Sequence, residues 1–243
     1  MSINRVSLLR MLDNYIRYVL FDTEFNPTEN NNWRILMLRD RGIMEHILLQ
    51  ISQIIYDMQN NVSKKDAIVV KHWFSEIPSI KMRANFSLDI QKSIYTKTQY
   101  PSNKGQFEKD FLEFADKDSE IEKLIKIDPN YHLFVALRYV STDGFLRSYF
   151  PDFIVKIGND IFLVETKAQK DLDNANVRQK EKSALSRCKQ INSLKSEDRM
   201  NCEWHYVILD DKSFYQEKQL SASLGQILMS KEITRKQVEN SLF

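Results

Sequence analysis

Residues 149–167 read Tyr-Phe-Pro-Asp-Phe-Ile-Val-Lys-Ile-Gly-Asn-Asp-Ile-Phe-Leu-Val-Glu-Thr-Lys. Gly158-Asn159-Asp160 separates two short apolar runs and reads as the turn of a hairpin. Phe153-Ile154-Val155 and Ile161-Phe162-Leu163-Val164 are apolar on both faces of their strands. Strands of that kind lie in the middle of a sheet that helices cover on both sides. Pro151 interrupts the pattern, because it cannot donate to a ladder. Asp152, Glu165 and Lys167 interrupt it with charge, and a buried charge needs a partner.

Outward from the hairpin, the pattern predicts an α/β fold. A strand at His132–Val140 leads through a turn at Ser141-Thr142-Asp143-Gly144 into Phe145–Ile157, and Ile161–Lys167 follows. Upstream, Phe107, Phe111, Phe114, Ile121, Leu124 and Ile125 predict a helix from Phe107 to Ile127 that Pro129 ends. Downstream, a helix is expected from about Ala175 to Leu194, a buried strand at Trp204–Leu209, and a helical remainder that packs through Leu224, Ile227 and Leu228. The expected order of helix, three strands, helix, strand and helix gives an α/β sandwich over residues 101–230. Residues 1–90 read as a mainly helical segment, with short strands at Ala67–Val70 and Ile80–Arg83.

Composition narrows the function. The 243 residues carry 35 Lys and Arg against 33 Asp and Glu, so a net charge of +2 excludes a polybasic binder. No apolar stretch reaches the roughly 18 residues of a membrane span, and the start lacks the apolar core of a secretory signal. Two cysteines make no disulfide framework, so a cytoplasmic location is expected. None of the five glycines opens a phosphate-binding loop or a dinucleotide turn, so no ATP site is expected in this chain.

The charged residues suggest a chemistry. If Lys156 pairs with Ile161, Asp152 falls opposite Glu165, with side chains about 5 Å apart. A one-residue slip would send them to opposite faces. Two carboxylates that close repel unless a cation lies between them. Mg²⁺, with Mn²⁺ as a substitute, suits oxygen ligands from Asp152, Glu165 and the Thr166 carbonyl, completed by substrate phosphate. Lys167, two residues beyond Glu165, points to the same face and could orient a water or offset charge on a scissile phosphate. Glu108, in the first turn of the preceding helix, is a candidate further acid. The helix after the site carries Lys180, Lys182 and Arg187 among its basic residues, candidates for DNA phosphate contact, with Lys180 nearest the carboxylates.

At Tyr149–Val155 and Leu163–Ala168 the chain resembles the PD-(D/E)XK nuclease superfamily. More narrowly, it is similar to the nuclease domain at the C-terminal end of the type III restriction enzyme restriction (Res) subunit. Ser93-Ile94-Tyr95, Tyr100-Pro101, Lys104-Gly105 and Phe107–Phe111 resemble that family's lead-in. Gln179-Lys180, Cys188 and Ile191-Asn192 resemble its following helix, and Trp204-His205-Tyr206 its last strand. The likeness spans roughly residues 90–215. It implies a restriction-endonuclease-like central mixed sheet flanked by helices over residues 91–243, and Mg²⁺-dependent cleavage of double-stranded DNA, with Asp152, Glu165 and Lys167 catalytic and Glu108 at the acidic position of the first helix. It also implies a helicase-like translocase and a methyltransferase (Mod) partner. The chain has no helicase motifs, so a fragment, a separately encoded nuclease module or a truncated gene product is expected. Arg187 stands where the family commonly has Trp. The rival readings are a free-standing repair or structure-specific nuclease, and a catalytically silent DNA-binding or docking module.

Overall fold

The computed structural model describes residues 5–38, 42–60, 69–103, 105–142 and 145–241. The chain falls into two compact units. One comprises residues 1–68 and 139–147, the other residues 69–138 and 148–243. Residues 69–90 cluster with the second unit.

The described N-terminal segment of the first unit is helical, as its periodicity predicts: α1 (Arg5–Tyr18), a short α2 (Trp33–Leu36) and α3 (Ile43–Asn60). Ile47 is buried on α3, and the Tyr15 hydroxyl meets His46 Nε2 at 2.9 Å.

The second unit is a mixed α/β layer structure. In chain order it runs β1 (Ser87–Asp89), β2 (Lys97–Gln99), α4 (Gln106–Lys117) and β3 (Lys123–Lys126). β4 (Leu137–Val140) and β5 (Leu146–Tyr149) each have residues in both units, and the second unit continues with β6 (Phe153–Ile157), β7 (Asp160–Lys167), α5 (Ala175–Asn192), β8 (Glu203–Asp210), α6 (Asp211–Gln219) and α7 (Leu224–Ser241). Four strands form one open sheet in the order β3-β6-β7-β8, so the doubly apolar β6 and β7 occupy its centre. The first two pairings are antiparallel and β7–β8 is parallel. Strands β1 and β2 form a separate ribbon, as do β4 and β5.

Both faces of the sheet are covered. Phe153, Val155, Phe162, Val164, Val207 and Leu209 meet Phe111, Leu112 and Ala115 of α4, Phe214 of α6, and Leu224, Ile227 and Leu228 of α7. Each buried Val, Leu, Ile or Phe side chain among them contributes about 1.5–3 kcal/mol. Phe107, Phe111 and Phe114 recur at helical spacing, and the Phe111 ring stacks on Phe153 at 4.5 Å. On the opposite face α5 lies against β8, burying Val177, Ala184 and Cys188. Asn192 brackets Trp204 there, donating to its carbonyl and accepting from its N–H, both at 2.8 Å.

Local chemistry sets the boundaries. Gly158 has φ +52° and opens the two-residue β6–β7 loop, as in a type II′ hairpin. Asn174 caps α5 by accepting from the Asn176 N–H at 2.9 Å. Gly105, just before α4, is forced by packing. A Cβ there would lie 2.1 Å from the Pro101 carbonyl oxygen.

Several expected elements differ. The helix expected from Phe107 to Ile127 stops at Lys117. Asp118 leaves the helical conformation and accepts from the Glu120 N–H at 2.9 Å, and Leu124-Ile125 become strand β3. The expected strand at Phe145–Ile157 is two strands, because Pro151 breaks it between β5 and β6. Residues 133–135 form a 3₁₀ turn ahead of β4. No strand forms at Ile80–Arg83; the short strands lie later, at β1 and β2. Val69 and Val70 are not in a strand, while Ala67, Ile68, Lys104, Asp143 and Gly144 lie outside the described residues. Among the described residues no helix is long and apolar enough to cross a membrane.

One buried charge triad ties α7 to the sheet. His205 on β8 meets Asp160 at 2.7 Å through Nε2 and Glu232 at 3.2 Å through Nδ1. Burial pushes the imidazole down, but its hydrogen bonds to Glu232 and Asp160 hold it above its ordinary 6.5. A raised folded pKa stabilises fully below 6.5, and that stability is lost as pH rises through the folded value. Thermal melts from about pH 6 to about pH 9 should therefore show a decline in melting temperature that His205→Gln flattens.

Candidate active site

The β6–β7 register is the expected one: Lys156 pairs with Ile161, and Phe153 with Val164. Asp152 is the next residue before β6, at the level of Glu165. The pairing ends before it, so its carboxylate turns to the end of β7. There Asp152 Oδ2 accepts from both the N–H and the hydroxyl of Thr166, each at 2.8 Å. The Asp152 carbonyl accepts from the Ile127 N–H at 2.9 Å, fixing the backbone behind Pro151.

Glu165 is the buried member. It is 4% exposed, in the middle of the sheet. Lys167 Nζ lies 2.6 Å from Oε1, and the Tyr149 hydroxyl donates to Oε2 at 2.9 Å. Tyr149 and Tyr206 hydroxyls meet at 2.8 Å. Tyr206 pairs with Leu163 in the parallel ladder and so shares the face of Glu165. Both tyrosines are buried, and burial pushes their hydroxyls far above the ordinary range, so each remains a neutral donor.

Glu108 reaches the same end of the sheet from the first turn of α4. It forms an ion pair with Lys126, at the end of β3, and Lys126 lies over the Phe153 ring at 4.7 Å. Burial raises the Glu108 carboxyl, Lys126 opposes that, and Asp152 raises it further. Glu165 behaves alike: burial raises it, Asp152 adds to the rise, and Lys167 and Tyr149 only partly offset both. For Lys167, burial favours the neutral amine, but Glu165 and then Asp152 reverse this and raise its pKa. Asp152 is thus within electrostatic reach of Glu108, Glu165 and Lys167. Three carboxylates share this end of the sheet with the ammonium groups of Lys126 and Lys167, and Lys180 lies close by.

The residues singled out in the sequence divide clearly. Asp152, Glu165, Lys167 and Glu108 come together. Thr166 acts here through its N–H and hydroxyl, which anchor Asp152. Lys180 is next to the cluster, its Nζ 5.0 Å from the Tyr149 ring centre. Arg187 is exposed and lies two helical turns further along the same side of α5. Lys182 is exposed and points elsewhere, about 200° round the helix from Lys180. The sequence reading missed Tyr149, Tyr206 and Lys126 as parts of the cluster. Aromatic residues inside apolar runs look like core, and Lys126 was assigned to a helix, where it has no register with Phe153.

The donor set suits a hard divalent cation: carboxylate oxygens of Asp152 and Glu165, with a nearby acid in Glu108. Among the described residues no group of three or more His, Cys, Asp and Glu side chains converges as a ready-made metal cage. Mg²⁺ held by one or two carboxylates needs no such cage, because substrate phosphate and water complete its shell. Comparison of the chain with protein families, with curated proteins and with solved structures gives no match.

The Tyr149 bond is a clean test of the arrangement. Tyr149→Phe leaves a buried carboxylate oxygen without its donor, and the expected cost is about 1–3 kcal/mol in urea unfolding. Tyr206→Phe keeps that donor in place and should cost less.

Proposed function

We propose that this chain is a Mg²⁺-dependent endonuclease that hydrolyses phosphodiester bonds of double-stranded DNA. The observation that carries the reading is the meeting of Asp152, Glu165 and Lys167 at one end of a central hairpin, with Glu108 brought alongside by α4. The mixed sheet flanked by helices accords with a restriction-endonuclease-like fold. Its natural context is a type III restriction-modification system, in which a translocase and a methyltransferase subunit supply ATP hydrolysis and site recognition.

Asp152 and Glu165 would hold the ion. When bound, Mg²⁺ polarises a phosphoryl oxygen and makes a bound water more acidic. Thr166 keeps the Asp152 carboxylate in one orientation. Tyr149, supported by Tyr206, does the same for Glu165. Lys167, held charged by Glu165 and Asp152, supplies a cation where negative charge grows on the phosphate. Glu108, paired with Lys126, stands beside them as a further oxygen acid. Lys180 and Arg187 on α5 are placed to meet backbone phosphate, whereas Lys182 is aimed away from them.

One observation favours a second reading, a module that binds DNA and cuts nothing: Lys167 already neutralises the buried Glu165 at 2.6 Å. A single assay separates the two. With supercoiled plasmid and Mg²⁺ or Mn²⁺, the wild type should nick. Asp152→Ala and Lys167→Ala should each lose about 100-fold or more in rate. Wild-type protein that stays inert even with a translocase and methyltransferase added would establish the silent module.

A further inference from the structure

A cavity of about 380 Å³ opens beside the acidic cluster, and Glu108, Lys126 and Asp152 belong to its wall. Its other walls come from residues 80–101 and 127–130 and from the Phe150-Pro151 break between β5 and β6. The volume is that of a small-ligand pocket, far too small for a duplex but enough for one nucleotide.

The lining defines the chemistry. The rings of Tyr95, Tyr100 and Phe150 and the side chains of Ile80 and Met82 offer flat and apolar surface. Gln99 and Asn130 add amide edges that can both donate and accept. Asp128, Glu108 and Asp152 outnumber Lys97 and Lys126 on the wall, and Lys126 is already paired with Glu108. A phosphate or an acidic peptide is therefore disfavoured inside. A neutral, flat group with polar edges fits, and a nucleobase is such a group. Aromatic platforms beside a phosphate site are how proteins hold bases that have left the stack.

Resting on the reading of the cluster as a phosphodiesterase site, we propose that this cavity holds one unpaired nucleobase adjacent to the bond that is cut. The enzyme then prefers DNA in which a nucleotide beside the scissile phosphate is already out of the helix. Opening a base pair costs energy that a bulged or single-stranded nucleotide does not require.

The test uses the full chain with a short paired duplex, the same duplex carrying one bulged nucleotide, and the single strand. Wild-type cleavage with Mg²⁺ and binding by Asp152→Ala are both measured. The bulged duplex should be cut and bound about tenfold or more better than the paired one. Equal activity on the single strand would assign the base to unpaired strands generally; activity on the bulge alone would assign it to an opened duplex, and both support the cavity. Met82→Trp and Ile80→Trp, which fill it, should bring the preference close to one. Cleavage without any preference overturns the cavity and leaves the nuclease standing. No cleavage, with Asp152→Ala still favouring the bulge, overturns the nuclease and leaves the cavity standing. A preference unchanged in both filled variants, each folded by circular dichroism, also overturns the cavity.

Discussion

A carboxylate sits inside a sheet whose two central strands are otherwise apolar. Removing Glu165 from water is costly, and its raised pKa records how incompletely Lys167 and Tyr149 compensate. The neighbourhood is organised around that cost. Lys167 follows two residues later on the same strand and the same face. Tyr149 arrives from β5 and is itself supported by Tyr206 from β8. Asp152 comes to the same level because the Gly158 turn fixes the register. A slip of one residue would leave Lys167 beside Glu165 but carry both away from Tyr149, Tyr206 and Asp152.

Pro151 explains how Asp152 escapes the ladder that carries its neighbours. A continuous strand from Phe145 would have paired Asp152 and fixed its side chain to one face. The break ends β5, frees the Asp152 carboxylate to meet the end of β7, and leaves room for the cavity walled by Phe150 and Pro151. A sheet core this apolar tolerates such an irregular end because Phe111, Phe153 and Phe162 are fully buried behind it.

Much of this was legible in the residues themselves. The hairpin, its register, the central place of β6 and β7, helix α5 and strand β8 follow from turn chemistry and two-faced apolar runs. Strand β3 was not legible. Leu124 and Ile125 continue the helical spacing of Phe107, Phe111 and Phe114, and only the turn at Asp118 separates them. With β3 unseen, Lys126 could not be placed opposite Phe153 or beside Glu108. The walls from residues 80–101 were illegible for another reason. Apart from two three-residue strands and a short 3₁₀ turn they are irregular, and irregular chain carries no period to read.

Gly105 has no side chain, and the Pro101 carbonyl takes the space one would fill. Pro101 belongs to the wall of the cavity, and Glu108 stands one turn beyond Gly105. The two segments touch backbone to backbone, with no side chain between them to yield by changing rotamer. A side chain at residue 105 would press the cavity wall and the start of α4 apart, so the smallest residue in the chain holds the cavity and Glu108 at their present spacing.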